Sequence, residues 1–155
     1  MNKIENVEED ILKEEENRYS IFPIKHDDVW KFYKETEKII WVAEEIDFGA
    51  DLKDWEELSK DEKFFLENIF AFFNVSDNIV IENLMNNFLG EIKILEAKCF
   101  LSLQNYIEVV HSQVYSQLIE TYVKNKDRKN FLFNGIKNLS CVKKKTDWIM
   151  KYLDP

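Results

Sequence analysis

Apolar residues recur at three- and four-residue steps through most of this chain, and little interrupts them. From Ser59 toward Gly90 the positions Leu66, Ile69, Phe73, Val80, Leu84 and Phe88 keep that spacing, which is the period of one helix face. Ser59-Lys60-Asp61-Glu62 stands at the head of this run as a capping box, the serine accepting from an orphan N–H and the glutamate reaching back. A second helical pattern crosses residues 91–123 without a breaker, with Leu101, Leu118 and Tyr122 on its apolar stripe. An earlier helix is expected over residues 27–45, after Pro23 has ended whatever precedes it and before a loop around Phe48-Gly49-Ala50. Shorter helices are expected over residues 127–136 and 141–153. Only three glycines and two prolines punctuate the 155 residues, so the predicted fold is all-α. The organisation expected is an acidic lead-in over residues 1–24 and one helical domain over residues 25–155.

Both long patterns contain the same anomaly. Asp77 falls on the apolar stripe between Phe73 and Val80, where a carboxylate would be desolvated at a cost of several kcal/mol unless something positive or hydrogen-bonding meets it. On the next helix Glu108, His111 and Tyr115 share the stripe of Leu101, Leu118 and Tyr122 at i, i+3 and i+7. Glu-x-x-His places a carboxylate and an imidazole one turn apart on one face, where both reach the same cation. Oxygen and nitrogen donors together suit iron or manganese. The phenol of Tyr115 then lies one further turn from the metal, within reach of one-electron oxidation. Plainer readings stand beside these: a core aspartate that caps a helix or pairs with a lysine, a Glu-x-x-His on a solvated face, a packed tyrosine.

Composition narrows the classes. With 45% hydrophobic and 33% charged residues the chain reads as a globular domain. The net charge of −9 repels phosphate backbones, and the basic run Lys143 to Lys145 is short and expected to be a solvated face, so nucleic acid is not an expected partner. The first ten residues are acidic and no later stretch reads as apolar for long enough to span a bilayer, which leads to the expectation of a cytoplasmic protein without a membrane partner. Cys99 and Cys141 are too few for a disulfide scaffold and form no Cys-x-x-Cys, so both are expected as reduced packing residues. The phenylalanines crowded between Phe64 and Phe73 are expected in the core, and Trp30, Trp55 and Trp148 in packing roles.

Taken together, Glu108-Val-Val-His111-Ser-Gln-Val-Tyr115 and the preceding Phe-Phe-Asn-Val-Ser-Asp77 resemble the small, radical-generating subunit of class I ribonucleotide reductase. Arg-Tyr-Ser-Ile-Phe-Pro-Ile from Arg18, Trp41-Val-Ala-Glu-Glu-Ile-Asp47, Leu95-Glu-Ala-Lys-Cys-Phe100 and Cys141-Val-Lys-Lys-Lys-Thr-Asp-Trp148 extend the resemblance over nearly the whole chain, in the eukaryotic or viral type. It implies the N-terminal helices of a ferritin-like bundle, with Asp77, Glu108 and His111 as ligands of a di-iron centre. It also implies Tyr115 as the radical site and Trp41 as the radical-transfer tryptophan. The activity implied is that of ribonucleoside-diphosphate reductase, which makes deoxyribonucleotides for DNA replication, with the reductase large subunit as partner.

The chain also departs from that family. The family's further glutamate and second Glu-x-x-His are expected beyond Pro155, and the one other histidine, His26, has Pro23 three residues before it. Half a ligand set is therefore present. Three expectations follow: a component completed by a complementary C-terminal half, a metal-binding homodimer in which two copies pool their ligands, or a non-catalytic product that exposes its apolar face.

Overall fold

The computed structural model describes residues 9–13 and 18–153, so residues 1–8 and 14–17 of the expected lead-in lie outside it. The described residues contain helices, turns and extended connections and no strand, as the glycine- and proline-poor pattern predicts.

The first helix, α1, spans Asp27–Glu37 rather than reaching residue 45. Thr36 bonds back from Oγ1 to the Phe32 carbonyl at 2.9 Å. The bulky run Ile39-Ile40-Trp41-Val42 follows, and its β-branched members favour extended backbone, which Val42 adopts at φ −124° and ψ 154°. A single turn at Ala43–Glu45 and a loop through Phe48-Gly49-Ala50 lead to a short helix that the pattern did not predict, α2 (Leu52–Glu57).

The predicted capping box is in place: Ser59 Oγ accepts from the Glu62 N–H, and the Glu62 carboxylate accepts from the Ser59 N–H at 2.8 Å. It starts α3 (Lys60–Asn83), which continues through a π-helical segment (Leu84–Phe88) into α4 (Leu89–Glu91). There the Leu89 N–H donates to the carbonyl five residues back, at Leu84. A π turn holds one residue more than an α turn, so side chains beyond it leave the phase of the preceding helix. Phe88, expected on the core stripe, is 48% exposed as a result.

The second long helix, α5 (Leu95–Tyr122), begins four residues later than expected. Residues 92–94 are extended, which turns Ile92 and Ile94 to the same side; both are buried in a cluster with Ala97, against Val29 and Leu101. The backbone of α5 returns antiparallel to α3, with Phe70 beside Tyr122 and Asn78 beside Ser112. The other expected helix over residues 127–136 is two pieces, α6 (Lys126–Phe133) and α7 (Gly135–Asn138). The break at Asn134 seats Gly135 on α3, where a Cβ would lie 3.5 Å from Val75 and 3.7 Å from Ala71. α8 (Ser140–Leu153) closes the described chain as expected.

The core lies where α3, α5, α6 and α7 meet, with Ala71, Ile119, Val123 and Leu132 packed under Phe70, Phe133 and Leu139. On α3 the buried line is thus Ala71 and Val75, while Phe73 and Val80 of the predicted stripe are 38% and 37% exposed. At 3.6 residues per turn Ala71 and Phe73 point about 200° apart, so Phe73 faces away from this core, while Asp77 and Leu84 of the predicted stripe are buried as expected. The phenylalanine crowd is likewise partly outside: Phe64 and Phe65 are exposed. Cys141 is exposed rather than packed, and Lys145 is not simply solvated, since its ammonium lies 4.3 Å over the Phe72 ring. The helix Lys60–Glu91, at 32 residues, is also long and apolar enough by length and composition to cross a membrane, contrary to the sequence expectation. Its middle carries Asn74, Asp77 and Asn78, two of which hydrogen-bond to α5.

One buried ion pair ties the lead-in to α5. Glu96 is 1% exposed, and its Oε1 accepts from Arg18 Nη1 and from the Lys25 N–H, both at 2.9 Å. Burial pushes this carboxyl up, but the bonds from Lys25 and Arg18 outweigh it and hold it below the ordinary 4.5. A depressed carboxyl stabilises the fold above its unfolded pKa and loses that contribution as pH falls through the folded value. Arg18→Ala should therefore cost about 3 kcal/mol at neutral pH by leaving Glu96 buried and unpaired, and should flatten the acid limb of a urea-denaturation series. A variant as stable and as acid-sensitive as the parent would contradict this role.

Candidate metal centre

Asp77 comes from the middle of α3, and Glu108 and His111 come from the facing stretch of α5. Antiparallel pairing brings all three to one level, with one donor atom from each lying within 4.8 Å of the others. His111 Nδ1 is 3.5 Å from Glu108 Oε2. Asp77 is 8% exposed, while the side chains of Glu108 and His111 are 19% and 39% exposed and open toward the uncovered side of the helix pair.

The electrostatics of the trio are those of a cation site. Asp77 Oδ2 is buried without a hydrogen-bond partner, and Oδ1 has only the Ser76 hydroxyl at 3.4 Å. Desolvation, with the charge of Glu108 second, pushes the Asp77 carboxyl above its ordinary 3.8, against a smaller opposing pull from His111. A buried carboxylate left without a lysine, arginine or N–H partner, one turn-pair away from a second carboxylate, is what a divalent ion would satisfy. Two carboxylates and an imidazole suit iron or manganese in charge and donor type, so the residues present fit a metal.

Around the trio stand the aromatic residues singled out from the sequence. The Tyr115 ring stacks on Phe73 with centroids 5.0 Å apart and planes at 16°. Burial and then the charge of Asp77 raise the pKa of its phenol, so its proton is held firmly. Trp41 lies against His111 with centroids 5.8 Å apart at 35°. It is set there by the extended run after α1 and by the turn that follows, where Gln113 Nε2 donates to Glu44 Oε1 at 3.3 Å. All five predicted site residues therefore converge. The other tryptophans pack, Trp30 against Tyr33 and Trp55 against Tyr122, each at 4.8 Å, and Trp148 against Tyr152.

Sequence reasoning missed the polar contacts that join α3 to α5 beside the trio. Asn78 Nδ2 donates to Ser112 Oγ at 2.7 Å, and Ser116 Oγ donates to Asn74 Oδ1 at 2.9 Å. Their signal was present as asparagine and serine pairs four residues apart on both helices. A largely apolar groove of about 490 Å³ lies between α3 and α8, lined by Phe72, Val75, Ile79, Val142 and Ile149 and, next to Asp77, by Ser76.

Residues 18–155 match the model of the family described as ribonucleotide reductase, small chain. The ribonucleoside-diphosphate reductase small chain of Monkeypox virus is 48% identical over 145 residues, covering 94% of this chain and 46% of the relative. That of Swinepox virus is also 48% identical, covering 94% and 53%. Among solved structures, the ribonucleotide reductase Rnr4 homodimer from Saccharomyces cerevisiae superposes with a TM-score of 0.77 at 34% identity, over 90% of this chain and 44% of that one. The dimanganese(II)-NrdF of Streptococcus sanguinis shares the fold with a TM-score of 0.71 at 20% identity, over 91% and 48%. The chain spans about half the length of the curated relatives it matches.

A raised carboxyl has the opposite linkage sign to Glu96: the folded state holds the Asp77 proton more tightly than the unfolded state, so stability falls as pH rises from 3.8 through the folded value. Asp77→Asn should accordingly stabilise the metal-free chain by about 1–2 kcal/mol at pH 7, an advantage that shrinks as pH drops into the carboxylate range. Denaturant midpoints at pH 7 and pH 4 test this, and a destabilised Asn variant at pH 7 would rule out an unpaired, strained carboxylate.

Proposed function

Because the chain belongs to the ribonucleotide reductase small-chain family, we propose that it is the N-terminal portion of the radical-generating small subunit of ribonucleoside-diphosphate reductase, acting in the cytoplasm in deoxyribonucleotide synthesis with the reductase large subunit. The observation that carries this reading is the convergence of Asp77, Glu108 and His111 beside a half-buried tyrosine one helical turn away.

Asp77, Glu108 and His111 hold the metal, which is iron by family resemblance, while the same donors accept manganese. Bound there, the metal supplies one-electron oxidising power drawn from oxygen. Tyr115 would be the residue on which that oxidising power acts, and the chain's own part is to keep its phenol close to the trio. Its raised pKa keeps the proton on Oη, because burial and the neighbouring Asp77 charge disfavour a phenolate. Phe73, stacked on the ring, keeps water from one face of it. Trp41 against His111 provides an aromatic relay from the metal side of the site toward the chain's exterior.

Three ligands are half of a di-iron set, and the face on which they open is apolar and exposed at Phe73 and Val80. A complementary polypeptide carrying the remaining carboxylates and second Glu-x-x-His completes the bundle on that face. A second copy of this chain, presenting the same three ligands across a twofold axis, is the other way to complete it.

The test is ferrous loading without oxygen followed by oxygen exposure, with iron content and electron paramagnetic resonance recorded for the chain alone and with the complementary half. A tyrosyl signal is expected only from a completed site. Glu108→Ala and His111→Ala should abolish metal binding, whereas Tyr115→Phe should keep the metal and lose the radical. Metal lost from Tyr115→Phe, or a radical that survives it, would overturn this division of roles.

A further inference from the structure

A helix pair joined by apolar side chains alone has no strong preference for one axial register, because the hydrophobic effect is non-directional. Register matters acutely here. A slip of one turn moves a side chain about 5.4 Å along the axis, more than the 4.8 Å within which the donor atoms of Asp77, Glu108 and His111 meet. The metal-free site also works against its own alignment, since it holds two carboxylates at one level.

Four residues on the α3–α5 seam counter both problems. Asn78 Nδ2 donates to Ser112 Oγ at 2.7 Å, Ser112 Oγ donates to Asn74 Oδ1 at 3.4 Å, and Ser116 Oγ donates to the same Oδ1 at 2.9 Å. The bonds alternate between helices, so each fixes the height of one helix against the other. Every member is placed by the site's own sequence positions: Asn78 follows Asp77, Ser112 follows His111, Ser116 follows Tyr115, and Asn74 precedes Asp77 by three residues. A step of one residue turns about 100° around a helix, which puts the ladder beside the metal trio without spending any donor on the metal.

We propose that Asn74, Asn78, Ser112 and Ser116 are a register lock, positioning residues that hold Asp77 of α3 level with Glu108 and His111 of α5. The lock rests on the reading of that trio as a metal site, but its geometry can be tested apart from it. Directional polar contacts on an otherwise apolar seam set register more than they add stability. Replacing all partners together by apolar groups is close to neutral for stability, since no donor or acceptor is stranded.

The decisive variant is therefore Asn74→Leu/Asn78→Ala/Ser112→Ala/Ser116→Ala, compared with Ser112→Thr/Ser116→Thr, which keeps both hydroxyls. Two readouts are taken on the full chain. The first is the pulsed electron paramagnetic resonance distance between nitroxides placed at the exposed positions Glu82 of α3 and Glu120 of α5, with Cys99 and Cys141 replaced by serine. The second is Mn²⁺ affinity, read from the loss of the free-ion signal on titration. The apolar variant is expected to melt within a few degrees of the parent, to broaden or shift the distance distribution by about one helical turn, and to bind Mn²⁺ about tenfold or more weakly. The threonine variant should match the parent in all three. An unchanged distance distribution in the apolar variant overturns the lock whatever Mn²⁺ does, and a shifted distribution with unchanged Mn²⁺ affinity overturns its positioning role. A parent that binds no more Mn²⁺ than His111→Ala refutes the metal reading instead, and the distance measurement still decides the lock.

Discussion

The carboxylate of Asp77 sits inside a helix pair with one oxygen unpartnered and a second carboxylate beside it. Such a group costs free energy in the metal-free fold, and the pull of His111 and the Ser76 hydroxyl offset only part of that cost. No lysine or arginine pairs with it among the described residues, and its one hydroxyl neighbour is distant. Contrast Glu96 on the next helix, more deeply buried, whose Oε1 is met by a guanidinium and a backbone N–H. Glu96 Oε2 is unpartnered like Asp77 Oδ2, so the two buried acids differ in the charge-bearing partner on the other oxygen: Glu96 has a guanidinium, Asp77 only a hydroxyl at 3.4 Å.

Much of this could be read from spacing alone. The positions of Asp77, Glu108, His111 and Tyr115 on two long helices follow from periodicity, because a 3.6-residue repeat fixes which side chains share a face. The Ser59 capping box was legible for the same reason: its chemistry is local. What periodicity cannot supply is the direction in which a stripe points. Phe73 and Val80 are correctly periodic and nonetheless exposed, because α6 and α7 pack on the opposite side of α3, at Ala71 and Val75. The buried line at Ala71 and Val75 is quieter in sequence, since small residues signal close approach only once Gly135 is seen lying on them. Helix ends failed where extended backbone won locally, after Glu37 and at residues 92–94, both runs of isoleucine that gain burial or reach by leaving the helix.

The exposed stripe and the open side of the metal trio are the same face of the molecule. Exposed apolar groups such as Phe73 and Val80 on that face are the kind of surface most prone to association.

The π-helical segment at Leu84–Phe88 separates two geometrical problems. Upstream of it, α3 is bound to α5 by polar contacts that fix height; downstream, the hairpin through residues 92–94 must deliver Ile92 and Ile94 into a different cluster. A surplus residue taken up in a widened turn uncouples the two. Inserting or deleting one residue between Leu84 and Phe88 would therefore re-phase the hairpin while Asp77, upstream on α3, stays level with Glu108 and His111 of α5.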